Sequence, residues 1–477
     1  MTGTVVIPTW LFALLGVTFV LVLINKLLIP SVRWFFRKKL NKAINELNQR
    51  LNIKLRPFQL TKRQVLLDRL VHDSQVLEHV QQFSLDDEVP REVMMEKVQQ
   101  YAREIVPSFN AYIYYRLGFW LAKKLARLLY RVRVNADQSE KLKNVTDDAT
   151  VVFVMNHRSN MDYILVSFLV AEKMALSYAV GEWARVWPLQ GLIKSMGAYF
   201  VRRNSRNPLY RKVLERYIDM ATREGVCQAV FPEGGLSRDG NLRPPKLGFL
   251  DYMLRNYDYR RDRDVIFIPV GINYDRVLED RTLLLSMDPK AEKKSRWFAI
   301  KTTLGFIFNN LRLARKHRWN RFGFASVNFS ESFSIKAYCE KRNLNFESLD
   351  TDTRFEKIEV IAQNLMHSVE KAIPAVPLAI ISSVLIKNTE KRVDDGLLSL
   401  EKLKTDAHQL MEKMESNGGK LVFPHKDNDW VLQTAIERLA LRRLIKIKNE
   451  QVELMPNQKN VISYYANSIK IWGQQSF

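Results

Sequence analysis

The sequence predicts an α/β domain, a largely buried sheet flanked by helices, set between an N-terminal helical region and a C-terminal mainly helical region. Three observations predict it. From Thr150 to about Phe333, short β-branched and aromatic runs alternate with helical segments, the pattern of strands joined by crossover helices. The runs are apolar throughout, as strands covered on both faces are. From Lys26 to about Val134, and again beyond Val376, the apolar spacing is helical.

Met1–Asn25 carries no charged residue, and Val5–Ile24 is almost wholly apolar; about 20 such residues span a bilayer core. A cleavable signal peptide would place positive charge before that run. Here Lys26, Arg33, Arg37, Lys38 and Lys39 follow it, an order that keeps the rest of the chain cytoplasmic. Residues 1–29 are expected to be a transmembrane segment or membrane anchor; the competing reading is a buried helix of the globular part. The basic flank continues through Lys42, Arg50, Lys54, Arg56, Lys62 and Arg63 and holds Trp34, Phe35 and Phe36. Residues 30–134 are therefore expected to be a helical, basic, membrane-associated region. Within it, Tyr112, Tyr114, Tyr115, Phe119 and Trp120 precede Lys123, Lys124, Arg127 and Arg131. That order suits a helix at a bilayer interface, and equally a core helix with a solvated basic face.

In the central region, 135–335, Val151–Met155, Tyr199–Arg202, Val226–Phe231, Val265–Val270 and Ala325–Phe329 read as strands. Asp162–Glu172, Pro208–Glu224 and Lys246–Asn256 read as helices, with Pro208 in a first turn and Gly225 at a helix end. A helical extension, 336–389, follows. Residues 390–477 read as a helical module, with a helix around Trp430–Arg443 and a hairpin over Ile445–Leu454 turning at Asn449-Glu450-Gln451, similar to a winged helix.

The chain has 477 residues, 47% hydrophobic and 26% charged, with a net charge of +23. The composition excludes a disordered protein, and the charge calls for a polyanionic partner. An anionic membrane fits the apolar N-terminus. The basic and aromatic stretch Met287–Arg321 suits nucleic-acid bases or a second surface facing membrane or acyl carrier; no nucleic-acid module surrounds it, so nucleic acid is not the expected partner. Cys227 and Cys339 lie far apart, and the seven histidines form no metal-ligand spacing. No bound metal and no cofactor is expected.

The residues that could carry chemistry lie at strand ends. His157 and Asp162 close the run Val151–Met155. Five residues along one helix would set them about 140° apart, at about 100° per residue. They can meet only if His157 sits on the turn and Asp162 in the opening of the next helix. Arg202 and Arg203 end another strand with fork-shaped donors suited to phosphate. Glu233-Gly234-Gly235-Leu236-Ser237-Arg238 follows a third; Gly234 and Gly235 permit a positive φ and a close backbone approach to an anion. Glu233 in such a place must accept a substrate hydroxyl or hold an arginine. Pro269 inside an apolar strand implies an edge, a bulge or a site wall. A base–carboxylate pair with phosphate donors suggests a transferase acting on a phosphorylated polar lipid precursor, with His157 taking a proton from a hydroxyl and Asp162 orienting the imidazole. A structural hydrogen bond is the plainer reading of the same pair.

His157-Arg158-Ser159-Asn160-Met161-Asp162 resembles the H-x-x-x-x-D motif of the glycerolipid acyltransferases. Gly197–Arg203, Glu233–Arg238 and Ile268–Val270 are similar to that family's further blocks, in the same order. The Glu-Gly-Gly-x-Ser-Arg form and Tyr163 resemble the glycerol-3-phosphate and dihydroxyacetone-phosphate branch, and Pro107–Tyr130 resembles the segment before this domain in the bacterial glycerol-3-phosphate enzymes. The resemblance covers about residues 100–335. It implies an α/β acyltransferase domain with a mixed sheet, and transfer of a fatty acyl group from acyl-CoA or acyl-carrier protein to the sn-1 hydroxyl of glycerol 3-phosphate, giving lysophosphatidate for phospholipid synthesis. It implies His157 as general base, Asp162 as its partner, and Arg202, Arg203, Ser237 and Arg238 on the phosphate. Glu233 and Gly234 would shape the glycerol site, and Pro269 the acyl-side wall. The expected location is the cytoplasmic (inner) membrane, with the catalytic domain on its cytoplasmic side. Leu236 stands where the family commonly has arginine, and Asp275 where glutamate often follows the tyrosine. The chain is also much shorter than the long bacterial enzymes. The alternatives are a lysophosphatidate or other lysophospholipid acyltransferase and a basic membrane- or nucleic-acid-binding adaptor.

Overall fold

The run Thr150–Met155 forms a strand, β2, buried along its whole length, since side chains branched at Cβ fit a pleated surface covered from both faces. The computed structural model describes residues 8–23, 26, 55–86, 88–134, 148–171, 173–181, 189–202, 205–287, 322–390, 397–421, 423 and 428–473. In it β2 belongs to an eight-stranded sheet with β1 (Arg131–Val134), β3 (Ser177–Gly181), β4 (Tyr199–Val201), β5 (Gln228–Val230), β6 (Val265–Tyr274), β7 (Phe324–Phe329) and β8 (Phe333–Ser334). The order is β1-β7-β6-β2-β5-β3-β4, with β8 also beside β6. Strands β6, β2, β5, β3 and β4 run parallel, whereas β7 and β8 run antiparallel to β6. The sheet is thus mixed. Its five parallel strands deliver their C-terminal ends to one end of the sheet, where open α/β folds place ligands.

The helix after β4 runs Pro208–Arg223, opened by Asn207, whose side chain accepts from Tyr210 N, and followed by Gly225 at φ 78°. Its buried face meets helices Arg63–Val71, Ser74–Asp86 and Arg91–Ile105: Leu70, Val80, Val98 and Ile105 share one core with Tyr210, Val213 and Ile218. A boundary at 134/135 is therefore absent. β1 pairs with β7 inside the sheet, and the compact unit begins at Leu55. The apolar stripes of these helices, within the region expected to be membrane-associated, pack on the α/β core. Met1–Lys54 form a separate unit, of which Thr9–Leu23 is a helix of 15 residues. Among the described residues no helix is long and apolar enough to cross a membrane. At about 1.5 Å per residue this one rises roughly 22 Å, against about 30 Å for a hydrocarbon core.

Pro269 is not on an edge. Its strand pairs with β2 on one side, Val154 opposite Pro269, and on the other side with β8 through Phe267 and with β7 from Val270 onward. The missing N–H falls where the antiparallel partner changes, and the Pro269 carbonyl still accepts from Ser330 N at 2.8 Å.

Beyond the sheet, helices Ile335–Arg342, Thr351–Ala372, Pro377–Glu390, Leu400–Ser416, Asn428–Leu441 and Lys459–Ala466 make up most of the C-terminal region. The expected hairpin is present as β10 (Ile445–Lys448) and β11 (Gln451–Leu454), and β9 (Leu397–Ser399) adds a third antiparallel strand. Asn449 and Glu450 both take positive φ, 46° and 60°, as a two-residue hairpin turn matched to strand twist requires. The stretch Met287–Arg321 lies, beyond Met287 itself, outside the described residues.

Candidate active site

Where β2 ends, the side chain of Asn156 continues its pairing with β6: Nδ2 donates to the Ile272 carbonyl at 2.9 Å and Oδ1 accepts from Ile272 N at 2.7 Å. The backbone is free to turn, and His157 sits on that turn. Asp162 occupies the first turn of helix Met161–Val170. The two meet, His157 Nδ1 lying 2.9 Å from Asp162 Oδ2, both side chains buried. The same Oδ2 accepts from the backbone N–H groups of Arg158 and Ser159 at 2.7 and 3.0 Å, and Oδ1 from the Tyr274 hydroxyl at 2.6 Å. A carboxylate so fully donated to has one orientation. With Nδ1 bonded to a carboxylate, that nitrogen carries the proton and Nε2 is left with its lone pair. Nε2 is buried and has no partner among the described residues. Phe231 stacks on the ring at 4.1 Å and Tyr163 meets it edge-on at 5.4 Å.

The loop after β5 supports this turn from below. Glu233 Oε1 accepts from His157 N at 2.7 Å and Oε2 from Arg243 N at 3.1 Å. Burial, opposed by those two donors, pushes the Glu233 carboxyl up to about 7. Gly234 has φ 67°, and a Cβ there would lie 2.7 Å from the Lys246 side chain. Ser237 N donates to the His157 carbonyl at 2.8 Å, and its hydroxyl spans the loop between Gly240 N and the Asn241 carbonyl.

The predicted site residues therefore divide. His157 and Asp162 are joined, and Glu233, Gly234 and Ser237 lie directly beneath them. Glu233 holds a backbone N–H group on each oxygen, His157 N and Arg243 N, and no arginine side chain is hydrogen-bonded to it among the described residues. Ser237 likewise points its hydroxyl into its own loop. Arg238 is exposed on that loop. Arg202 lies at the same end of the sheet but three strands from β2, roughly 14 Å at about 4.8 Å per strand. Its guanidinium is occupied by Glu104, Nε at 2.9 Å and Nη2 at 2.8 Å, between the rings of Tyr101 and Tyr210. Arg203 lies outside the described residues. Pro269 sits one register step below the last β2–β6 pair. Among the described residues no cluster of histidine, cysteine or acidic side chains could hold a metal ion.

Three contributors escaped sequence reasoning. Tyr274 ends β6 against Asp162. Glu279 takes Ser159 Oγ on Oε2 at 2.8 Å and Asn160 Nδ2 on Oε1 at 3.1 Å, fixing the middle of the H-x-x-x-x-D turn. Arg158 turns away from the site. Its Nη1 donates to the Gly240 carbonyl at 2.9 Å, and it lies 4.7 Å from the centre of the Tyr464 ring in the C-terminal region. The one sequence signal was the hydroxyl and acids following the Pro269 strand.

The acyltransferase family model matches residues 133–273, the segment that holds the His157–Asp162 turn. The model of the glycerol-3-phosphate acyltransferase C-terminal region matches residues 307–471. The two matches fall on the α/β sheet region and on the C-terminal region, in agreement with the resemblance of the motifs. Relatives named glycerol-3-phosphate acyltransferase from Shewanella frigidimarina, Pasteurella multocida and Ectopseudomonas mendocina are 24%, 25% and 23% identical to it, each over 86% of this chain. Those alignments cover 50%, 50% and 49% of the relatives; the chain spans about half the length of the curated relatives it matches. The solved 1-acyl-sn-glycerophosphate (LPA) acyltransferase PlsC from Thermotoga maritima aligns with 64% of this chain and 96% of its own at 16% identity. Its TM-score of 0.30 is too low to carry an argument.

Proposed function

We propose that this protein transfers a fatty acyl group from an acyl thioester, acyl-CoA or acyl-carrier protein, to the sn-1 hydroxyl of glycerol 3-phosphate. The observation that carries the reading is the His157–Asp162 pair with Nε2 unpartnered at the C-terminal end of β2. Nε2 takes the hydroxyl proton as the oxygen attacks the thioester carbonyl. The tetrahedral adduct collapses, the C–S bond breaks, and the imidazolium returns the proton to the departing thiolate. Asp162 holds the ring and balances its transient charge. The atom is covered in this structure, so a neighbouring group must shift for substrate to reach it. For the phosphate, Arg238, Arg243 and Lys246 are exposed cations on the site loop; Arg202 joins them only by exchanging Glu104 for the ligand.

We infer a membrane location for the protein, and two features support it. Thr9–Leu23 has no charged residue on any face, as a helix in lipid does and a surface helix does not. Tyr112, Leu117 and Trp120 are 56%, 46% and 54% exposed and share one stripe with exposed Arg116, Lys124 and Arg127, an interfacial pattern. On this reading the anchor is in the cytoplasmic membrane and the partner surface is anionic lipid.

The test is acyl transfer by the purified protein from each donor to glycerol 3-phosphate and, separately, to lysophosphatidate. Product with glycerol 3-phosphate that disappears in His157→Ala supports the proposal. Acylation of lysophosphatidate alone overturns it.

A further inference from the structure

Tyr274 is the last residue of β6, fully buried. Its hydroxyl is the donor to Asp162 Oδ1, whereas the other oxygen faces His157 and two backbone N–H groups. Strand alternation places its neighbours on the opposite face. There Asn273 Nδ2 reaches the Pro374 carbonyl at 2.9 Å and Ser468 Oγ at 3.1 Å. Asp275 accepts from Leu378 N at 3.0 Å and from Arg438 Nη1 at 2.8 Å. The C-terminal region thus fixes the strand end from one side, and the strand end meets the catalytic carboxylate on the other. Burial and the neighbouring Asp162 carboxylate hold the Tyr274 hydroxyl well above its usual pKa, so it stays a donor over the whole working range.

We propose that Tyr274 is a positioning residue for the His157–Asp162 pair: its hydroxyl aims Asp162 Oδ2 at His157 Nδ1 and draws off part of the carboxylate's charge. The kinetic half of this rests on the acyltransferase reading; the electrostatic half does not. Without the hydroxyl, a buried carboxylate oxygen loses its donor, the carboxylate becomes more basic, and the imidazolium opposite holds its proton to higher pH. The other ionisable groups around the pair are Tyr163, edge-on to the His157 ring, Arg158, Glu233 and Glu279, with Tyr130 beyond Tyr274, and they are unchanged in the Tyr274 variant. Tyr130 supplies the control. Its ring lies 5.2 Å from that of Tyr274, but its hydroxyl donates to the Arg276 carbonyl.

The experiment compares Tyr274→Phe and Tyr130→Phe in the full-length protein. Proteins labelled with 13C at histidine Cε1 are titrated by NMR, the His157 signal being assigned with His157→Ala. The expected result is a His157 midpoint raised by about half a pH unit or more in Tyr274→Phe and unmoved in Tyr130→Phe. In acyl transfer, kcat is expected to fall about 10-fold with little change in KM, and the acid limb of the pH–rate profile to follow the NMR midpoint. An unmoved midpoint in folded Tyr274→Phe, or equal shifts in both variants, overturns the proposal. Should Tyr274→Phe not fold, 3-fluorotyrosine at position 274 strengthens the donor instead, and the midpoint must then fall. A parent protein that acylates no glycerol 3-phosphate removes the functional reading, while the titration still decides the role of Tyr274.

Discussion

His157 turns Nδ1 to Asp162, so on the proposed reading the chemistry depends on the other nitrogen. His157→Ala is accordingly expected to lower kcat by about 10²–10⁴-fold, measured at saturating glycerol 3-phosphate, with KM little altered. Glu233 acts a step further out and shows in stability. Folded, it keeps its proton up to about pH 7, against 4.5 for an ordinary glutamate. Between those values the folded state binds more protons than the unfolded one, so this residue's contribution to stability is fully present below 4.5 and is lost as pH rises through 7. Glu233→Gln has no such dependence; its Tm relative to the parent should improve from pH 5 to pH 8, and a constant difference would refute the assignment. The His157–Asp162 pair was legible because both its residues lie on one short turn whose geometry the spacing dictates. Arg202 was not, because the acid that occupies it, Glu104, is 98 residues earlier in the chain. The self-bonded turn at Ser237 was not legible for a smaller reason: a hydroxyl after two glycines suits an anion cradle and such a turn equally.

At the scale of elements, β6 does most to join the parts, pairing with β2 and β7 while carrying the helix Thr351–Ala372 across it. Gly271 makes the crossing possible, since a Cβ there would lie 2.2 Å from the Ala372 carbonyl carbon and 2.3 Å from Ile373 N. Backbone cannot swing aside as a side chain can. Gly271→Ala should therefore destabilise by about 2 kcal/mol or more, within the range of overpacked cores, read as a lower denaturant midpoint at unchanged m-value. Gly248→Ala meets nothing within 4 Å and should cost little. The long apolar strands were legible from β-branching alone. β1, Arg-Val-Arg-Val, was not: its basic composition reads as the tail of a basic helix until β7 is present to pair with it. β3, Ser-Tyr-Ala-Val-Gly, is likewise too short and mixed to be separated from a loop, and becomes a strand only between β5 and β4.

Over the whole molecule, the C-terminal region packs behind the candidate site, through Arg158 on Tyr464 and Asp275 on Arg438. The surface proposed to face a membrane lies outside this core. A net charge of +23 draws any basic protein to anionic lipid, so binding alone decides nothing; position does. The stripe through Tyr112, Arg116, Trp120, Lys124 and Arg127 combines charge with rings that can enter the headgroup layer, Lys124 Nζ lying 4.7 Å from the Trp120 ring centre. Lys402 and Lys448 are equally exposed, on the C-terminal region. Lys124→Glu/Arg127→Glu and Lys402→Glu/Lys448→Glu change net charge by the same amount. At about 1 kcal/mol per basic residue near the surface, the first pair should weaken binding of residues 55–477 to phosphatidylserine-containing vesicles by at least about 10-fold in flotation assays. The second pair should leave it within about 2-fold once salt screens charges farther than about 8 Å from the surface. Equal losses would mean that net charge, and not this stripe, brings the protein to the bilayer. Trp120→Ala separates the two contributions further, since its loss should persist at high salt where the charge effect fades.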